Sequence, residues 1–240
     1  MVNRKHLIYL GIFVVVTAIF YFFIQRPERN IYFNTPDDGQ GFITLIEEVP
    51  VNRLVEQNLN GVVPSYYENG RLQTEITYVN GVRHGVTRIF FPDGRLQIIT
   101  NFSQGRPDGV SKEYFPNGTL KSEINFTNGS LNGAWVEYYE NGEQKQVTHY
   151  LNGEIHGSFK TFYLDGNIEL EANYLYGMLF GYRNIYYPNG AVRIRENFID
   201  DKLWGDRYEY HDNGAISIHE YYNDGRRVSR SLYGRSGARL

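Results

Sequence analysis

Apolar and polar side chains alternate with a period of two along most of the chain, in short runs separated by glycine. In residues 167–174 the polar positions alternate with an apolar series, Ile168, Leu170, Ala172 and Tyr174. This alternation predicts antiparallel β-strands that have one buried face and one solvated face. One apolar position is aromatic in all seven copies of the pattern, and we call these residues the aromatic seam: Tyr78, Phe102, Phe126, Tyr150, Tyr174, Phe198 and Tyr222.

The glycines that separate these runs recur every 24 residues. The first series, the turn glycines, consists of Gly70, Gly94, Gly118, Gly142, Gly166, Gly190 and Gly214. A second series follows eleven residues later, with one aspartate in it: Gly81, Gly105, Gly129, Gly153, Gly177, Asp201 and Gly225. A third series lies four residues further on: Gly85, Gly109, Gly133, Gly157, Gly181 and Gly205. Because Asn or Asp precedes every glycine of the first series and most of the second, each repeat predicts two tight turns and two strands.

A 24-residue hairpin cannot bury its aromatic face alone, so it has to stack against its neighbours. We therefore expect an all-β fold, an elongated, twisted antiparallel β-meander of about seven hairpin repeats and about fourteen strands, preceded by a single transmembrane helix. The repeat domain is predicted to span residues 61–228. Residues 229–240 form a basic C-terminal tail, and the chain from Gly225 onward is expected to be loose.

Residues 7–24 form an apolar run in which only Gly11 and Thr17 are not apolar. As a helix this run would span about 27 Å, close to the hydrocarbon thickness of a bilayer. The competing interpretation is a cleaved signal peptide, but no small-residue cleavage site follows the run. We expect residues 1–25 to be a transmembrane signal-anchor, followed by a linker and N-terminal cap over residues 26–60, with a short helix at residues 51–59.

The basic residues that flank the apolar run bear on its orientation. Arg4 and Lys5 precede it, whereas Arg26 and Arg29 follow it together with several acidic residues. The positive-inside rule counts Lys and Arg and discounts acids, so the bias towards a cytoplasmic N-terminus is slight. The expected localisation is a single-pass membrane protein whose repeat domain is extracytoplasmic, either periplasmic or extracellular.

Composition excludes several classes of function. The 240-residue chain carries 24 Lys and Arg against 27 Asp and Glu, a formal net charge of −3, which argues against a nucleic-acid partner. It has no cysteine, which excludes disulfides, thiolate catalysis and Cys-ligated metal sites. No metalloprotease, phosphate-loop or nucleophile-elbow motif occurs. We expect no enzyme activity, no cofactor, no metal and no small-molecule substrate.

The titratable side chains are interpreted as structural. Glu75, Glu123 and Glu171 recur two repeats apart, and strands that far apart would place the carboxylates about 19 Å from each other, too far for paired acid–base catalysis. His84 and His156 occupy one variable turn position, which favours a turn role over metal ligation. One column of amides is expected to form a side-chain ladder: Asn101, Asn125, Asn173 and Asn197.

Arginines near the C-terminus are candidates for contact with anionic lipid or with an acidic partner. They are Arg226, Arg227, Arg230 and Arg235. The alternative interpretation is an ordinary solvated terminus.

The pattern G-x4-Y-Y-x-N-G-x-L-x5-Y-x-N-G-x3-G resembles the MORN-like repeats (membrane occupation and recognition nexus) in the form common in bacterial proteins. Its closest copies are residues 61–85 and 109–133, and the segment Val82-Arg83-His84-Gly85 is similar to the basic-x-His-Gly turn of that family. The resemblance covers about residues 61–228 and departs from the pattern at Gln144, at Asp201 and in the last repeat. It implies an antiparallel repeat sheet that contacts proteins or membranes.

These observations predict a membrane-anchored, non-catalytic repeat protein that acts as a protein–protein interaction or scaffolding module. The expected partner is another protein, within a membrane-associated complex, and the expected membrane contact is through residues 7–24. The alternative is an antitoxin or immunity-type partner that neutralises a toxin, because some bacterial members of the family that the repeats resemble carry an antitoxin label.

Overall fold

The computed structural model of this protein describes residues 59–240, which form one antiparallel β-sheet. The predicted anchor, the linker and nearly all of the predicted cap, including its short helix, lie outside the described residues. Within residues 59–240, no helix has the length and apolarity needed to cross a membrane.

The eighteen strands of this part follow one another along the chain. They are β1 (Gly61–Tyr66), β2 (Leu72–Val79), β3 (Val82–Phe90), β4 (Leu96–Ser103), β5 (Arg106–Pro107), β6 (Gly109–Tyr114), β7 (Leu120–Thr127), β8 (Ser130–Tyr138), β9 (Gln144–Leu151), β10 (Glu154–Phe162), β11 (Ile168–Leu175), β12 (Met178–Leu179), β13 (Gly181–Tyr186), β14 (Val192–Ile199), β15 (Lys202–Leu203), β16 (Gly205–Tyr210), β17 (Ile216–Asn223) and β18 (Arg226–Leu232).

Sequential antiparallel pairing makes the sheet an open meander. Strand β2 pairs with β1 and β3, and the same pattern continues to the pairing of β17 with β18. The all-β antiparallel prediction is confirmed. The described sheet has eighteen strands rather than the expected fourteen because three of the longer strands are interrupted, between β5 and β6, β12 and β13, and β15 and β16, and because the segment after Gly225 adds β18.

The first turn of each repeat is a type I turn followed by a left-handed glycine. Gly70, with φ 79°, donates its N–H to the carbonyl of Tyr67 over 2.9 Å. The side chain of Asn69 accepts the N–H of Arg71 at 3.0 Å, which fixes the turn locally. All seven turn glycines have positive φ, a conformation that costs glycine little because it has no Cβ.

The second turn has two left-handed residues, as a two-residue type I′ hairpin requires. Asn80 and Gly81 have φ 52° and 76°. Asp201, the one exception in this glycine series, adopts the same left-handed conformation with φ 63°. Its carboxylate also accepts the N–H of Leu179 at 2.7 Å, a bond to the preceding hairpin that glycine could not make.

The third glycine series lies at bulges rather than at turns. Ile76 is opposite Thr87 and Tyr78 is opposite Arg83, so three residues of β3 face the single residue Thr77 of β2. The extra residues include Gly85, which has φ 87°. A left-handed residue is needed where the strand bends around its partner, which explains the glycine.

Neighbouring hairpins are joined by bonds that recur along the sheet. Each second-turn residue donates its N–H to a carbonyl of the previous hairpin, as Gly129 does to Pro107 and Gly153 does to Leu131, both at 2.8 Å. Four tyrosine hydroxyls donate to a carbonyl 23 residues later, at 2.6–2.8 Å: Tyr67, Tyr139, Tyr163 and Tyr187. Phe91 and Phe115 stand at the same position and have no hydroxyl to donate.

The C-terminal segment corrects the expectation of a loose tail. Residues 226–232 form strand β18, which pairs with β17 from Ile218 to Asn223. The predicted boundary between residues 228 and 229 therefore falls inside a strand. Beyond β18, Tyr233 bridges to Arg239, and Leu240 donates its N–H to the carbonyl of Leu232 at 2.9 Å. Gly225 lies in the hairpin turn between β17 and β18, so the chain after it folds back and pairs with β17.

Candidate functional surface

The aromatic seam lies on one face of the sheet, which we call the inner face. Tyr78, Tyr174 and Phe198 are buried there, and the other four seam residues are half-buried. Seam residues of successive repeats are separated by an intervening strand, and an aliphatic side chain often fills the position between them. Leu131, 2% exposed and directly opposite Phe126, is one of these. Burial raises the pKa of Tyr150 and of Tyr174 to about 12.

The candidate arginines near the C-terminus already have partners within the chain, apart from Arg226, for which the described residues show no ion pair. Arg227 and Arg230 lie 2.9 Å and 3.4 Å from the carboxylate of Glu220, and Arg235 lies 3.0 Å from that of Asp212. Contact with a lipid or an acidic partner would therefore compete with these intramolecular pairs.

The side-chain ladder predicted for the asparagine column is wrong. Asn125 donates to the carbonyl of Ala134 at 2.9 Å, Asn101 to that of Asp108 at 3.1 Å, and Asn197 to that of Trp204 at 3.3 Å. These carbonyls lie next to the bulge glycines, where the strand ladder is interrupted and backbone groups need other partners. The amides therefore satisfy the bulges rather than one another.

The three recurring glutamates each have a partner on the outer, more polar face. Glu75 pairs with Arg88 at 3.3 Å and Glu123 with Lys112 at 3.0 Å. Glu171 accepts the hydroxyl of Tyr186 at 2.5 Å, and this hydrogen bond lowers the pKa of the Glu171 carboxyl. No three His, Cys, Asp or Glu side chains of the described sheet are placed together as metal ligands would be.

The inner face changes its chemistry towards the C-terminus. One inner position is occupied in successive repeats by cross-strand pairs that are largely apolar or hydroxyl-bearing: Val63–Ile76, Thr87–Thr100, Ser111–Ile124, Trp135–Thr148 and Phe159–Ala172. In the last two repeats the same position holds Arg183–Glu196 and Arg207–Glu220. We call these four residues the ionic ladder.

The ionic ladder is a chain of alternating charges. Arg207 lies between the two glutamates, with Nε 2.7 Å from Glu196 and Nη1 2.8 Å from Glu220. Arg183 closes one end, with Nε donating to Glu196 over 2.8 Å. The carboxylates of Glu196 and Glu220 are only 6% and 4% exposed. Buried carboxylates are stable only when they are paired and hydrogen-bonded, and here both conditions are met.

Burial by itself would raise the pKa of Glu220. The hydrogen bonds from Arg227 and Tyr222, together with the charge of Arg207, outweigh burial and lower the pKa of this carboxyl below its usual range. Burial by itself would lower the pKa of the Arg207 guanidinium, but its hydrogen bonds to Glu196 and Glu209 outweigh burial and raise this pKa. Glu220 and Arg207 are therefore both charged at neutral pH.

The outer face also changes in the same repeats, where it forms an open groove with a volume of about 560 Å³. We call it the aromatic groove, and its side chains are Tyr182, Asn184, Arg195, Asn197, Trp204, Asp206 and Tyr208. Tyr182 is 62% exposed and Trp204 is 41% exposed. Large exposed aromatic side chains are typical of binding surfaces, since their burial by a partner is favourable.

Register across three strands defines the groove. Asn197 on β14 is opposite Tyr182 on β13, and on its other side it accepts the backbone N–H of Trp204 at 2.9 Å. Arg195 is opposite both Asn184 and Tyr208. The groove thus has two rows of side chains that run across the strands. In the first row Asn197 lies between Tyr182 and Trp204, and in the second row Arg195 lies between Asn184 and Tyr208.

Neither the ionic ladder nor the aromatic groove was predicted from the sequence, although both have a signal in it. Aligned by the 24-residue period, the position of Glu196 and Glu220 holds Ile, Thr or Ala in the earlier repeats. The position of Trp204 holds His84, Asp108, Asn132, His156 and Phe180. Reading each position down the repeats, rather than along each strand, would have identified both departures.

Comparison with family profiles agrees with this geometry. Four segments, residues 59–80, 107–128, 131–152 and 155–176, match the family described as MORN repeat variant. Four units of this sheet are therefore similar to MORN-type repeats. Such repeats are generally modules that contact proteins or membranes. The matched segments end before the strands that carry the aromatic groove and the ionic ladder.

Other comparisons add little. No curated protein matches the chain. Among solved structures, the chain is similar to a mutant of S. aureus TarM in complex with fondaparinux, alpha-GlcNAc-glycerol and UDP, at 11% identity and a TM-score of 0.26. That alignment covers 64% of this chain and 23% of the TarM chain, so this protein spans about a quarter of its length. A similarity at this level carries no argument about function.

Replacing Glu220 with glutamine should destabilise the C-terminal repeats. The Glu220→Gln substitution leaves Arg207, Arg227 and Arg230 facing a neutral amide, which we expect to cost about 2 kcal/mol of unfolding free energy, less than for a fully buried pair because two of the arginines are half-exposed. Urea unfolding at pH 7 measures the loss. The matched control is Glu75→Gln, whose carboxylate is 31% exposed and pairs with one arginine, and it should cost about 0.5 kcal/mol or less.

The same variant has a defined pH dependence. Because the pKa of Glu220 is lowered on folding, its contribution is present above the unfolded pKa of about 4.3 and is lost as the pH falls through the lower folded value. The stability difference between wild type and Glu220→Gln should therefore be constant near neutrality and shrink below about pH 4. A difference that stays the same down to pH 3, or equal costs for the two variants, would contradict the ladder.

Proposed function

We propose that this protein is a membrane-anchored, non-catalytic scaffold whose repeat sheet binds another protein. The observation that carries the proposal is a row of exposed apolar side chains at the second turns of two adjacent repeats. We call it the apolar turn row, and it consists of Leu175, Tyr176, Met178 and Ile199.

The apolar turn row is exposed, and its four residues fall in two adjacent repeats. Leu175 and Met178 are cross-strand partners and are 38% and 40% exposed, and Ile199 is 38% exposed. The same positions hold polar pairs in the second and third repeats, Ser103–Arg106 and Thr127–Ser130, whereas the first repeat has a separate exposed apolar pair, Val79 and Val82. Contiguous exposed apolar side chains on a soluble surface mark sites of protein or membrane contact.

The backbone conformation of Tyr176 is a second argument that this surface is functional. Tyr176 has φ 49° and its side chain is 60% exposed, whereas the equivalent residues are Asn, Gln or Asp. A bulky side chain is unfavourable in the left-handed region, and strained residues of this kind concentrate at functional sites. Its ring packs against that of His156 with centroids 4.7 Å apart, which leaves the opposite ring face available to a partner.

Anchoring by residues 7–24 would hold this sheet near the bilayer, with the repeats on the extracytoplasmic side. The support for this part of the proposal is the length and apolarity of the run and the slight excess of basic residues before it. The toxin-neutralising alternative needs the same kind of surface, and the identity of the captured partner distinguishes it from a scaffold.

The apolar turn row can be tested by copurification from gently solubilised host membranes. We expect a protein partner to copurify with the wild-type full chain and to be lost with Leu175→Lys, because the new charge would be buried in the interface. The matched control is Val79→Lys, at the equivalent position four repeats earlier and 45% exposed, which should retain the partner. Recovery of free protein from wild type, or equal loss in both variants, would overturn the proposed surface.

Topology can be tested with single cysteines, because the chain has none of its own. Glu140→Cys lies at an exposed turn of the sheet, and Asn3→Cys precedes the apolar run. In cells with a sealed cytoplasmic membrane, an impermeant maleimide should label Glu140→Cys and leave Asn3→Cys unlabelled. The reverse labelling would place the repeats in the cytoplasm, and release of the unlabelled protein by alkaline carbonate would contradict the anchor.

A further inference from the structure

From the geometry of the aromatic groove we infer that it binds a neutral oligosaccharide of β-linked hexopyranoses whose ring substituents are all equatorial. This inference is independent of the proposed protein partner. It concerns a different set of side chains, on the outer face of β13, β14 and β16, and none of the apolar turn row residues line it.

The spacing of the two exposed rings suits one sugar ring. Tyr182 and Trp204 flank Asn197, one on each side, so their Cα atoms are two strand spacings apart, about 10 Å. Tyr182 on β13 and Trp204 between β15 and β16 both line the groove, and a separation of this size can accept one pyranose ring. When all substituents are equatorial, both faces of a pyranose present C–H groups, and these faces stack favourably on aromatic rings.

Polar groups in the second row match the rim of such a sugar. Arg195 donates through Nε to Asn184 at 3.3 Å, and the described residues provide no acceptor for its two terminal nitrogens. A guanidinium presents its donors in a planar fork, which fits a pair of adjacent hydroxyl oxygens. The hydroxyls of Tyr182 and Tyr208 add groups that both donate and accept.

Charge balance favours a neutral ligand. Within the groove, the negative charge of Asp206 balances the positive charge of Arg195. The carboxylate of Asp206 also lies 2.6 Å from Nε2 of His219. A polyanion would meet the carboxylate of Asp206, and a cation would meet Arg195. The ring of Tyr208 is stacked on that of His219, with centroids 4.6 Å apart, so this side of the groove is held in place before any ligand binds.

Binding, rather than hydrolysis, is the expected activity. Glycoside hydrolysis generally needs two carboxyl groups on opposite sides of the scissile bond, whereas Asp206 is the one carboxylate among the residues that line this groove.

Along the described sheet, aromatic side chains occupy both of the flanking positions at one place only. The position of Tyr182 holds Val86, Val110, Ala134 and Ser158 in the earlier repeats, so none of these could enclose a sugar ring.

Isothermal titration calorimetry of the full chain in lipid nanodiscs tests the inference. Glycoside detergents are avoided because they would compete for the groove. Cellotetraose is the probe, and β-1,4-galactotetraose, which has an axial oxygen at C4 of each ring, is the comparison sugar. We expect cellotetraose to bind with a Kd of about 1 mM or lower and the galactan to bind at least about tenfold more weakly.

Four alanine variants separate the groove from the rest of the sheet. Trp204→Ala and Tyr182→Ala should each weaken cellotetraose binding about tenfold or more, because each removes one stacking face. The matched controls are Phe180→Ala and Val110→Ala, which lie at the equivalent positions of other repeats and are 45% and 42% exposed; both should bind as wild type does. All four side chains are exposed, and thermal unfolding followed by circular dichroism checks that each variant is folded.

Three results would overturn the inference. They are no detectable heat with cellotetraose up to about 10 mM, equal binding of the two sugars, and unchanged affinity in folded Trp204→Ala and Tyr182→Ala. None of these results bears on copurification through the apolar turn row, so failure of one proposal is distinguishable from failure of the other.

Discussion

Hydrogen bonds between neighbouring hairpins are the interaction on which the described sheet depends. A lone 24-residue hairpin is marginally stable in water, and only six apolar side chains of residues 59–240 are buried. The hydrogen bonds of the second-turn amides and the tyrosine hydroxyls therefore stabilise the sheet, a role that packing against a second sheet has in a β-sandwich. Their constant offset of 22 or 23 residues fixes the register of every repeat on the next.

The left-handed residues follow from this requirement. The second turn must be tight and must point its amide at the preceding hairpin, so both of its residues have positive φ. Asp201 shows that glycine is not obligatory there, because an acidic side chain that bonds to Leu179 compensates for the less favourable backbone.

Much of this fold could be predicted because its information is periodic. The Asn-Gly and Asp-Gly pairs predicted the turns, and the alternation between them predicted the strands. The 24-residue period could not show that the two turns differ in type, since Asn69 and Asn80 both precede glycine but only Asn80 is left-handed. It also could not distinguish the bonding role of Tyr139 from the aromatic role of Phe115, because both satisfy an aromatic pattern. The predicted ladder of amides was wrong for a related reason: the bulges that use Asn101 and Asn125 were not recognised.

The candidate surfaces were missed because they lie where the repeats depart from their own pattern. In the ionic ladder, Arg183, Glu196, Arg207 and Glu220 replace apolar or hydroxyl-bearing pairs. In the aromatic groove, Tyr182 and Trp204 stand where the earlier repeats mostly have smaller or polar side chains. Proteins tend to break local rules at functional sites, where a less stable arrangement serves binding. Both departures occupy the same strands, one on each face, and the segments that match the MORN repeat variant end at residue 176. The earlier repeats thus provide a regular sheet, and the later repeats provide its distinctive chemistry.

Amide hydrogen exchange tests most directly whether neighbouring hairpins hold the sheet together. Measured residue by residue on the full chain, the second-turn amides of Gly105, Gly129, Gly153 and Gly177 should be protected at least about 100-fold relative to an unfolded chain, although they lie in solvent-facing turns. Protection should reach the same level as in the adjoining strands. Exchange of these four amides at nearly unfolded rates, with the strands still protected, would contradict the account.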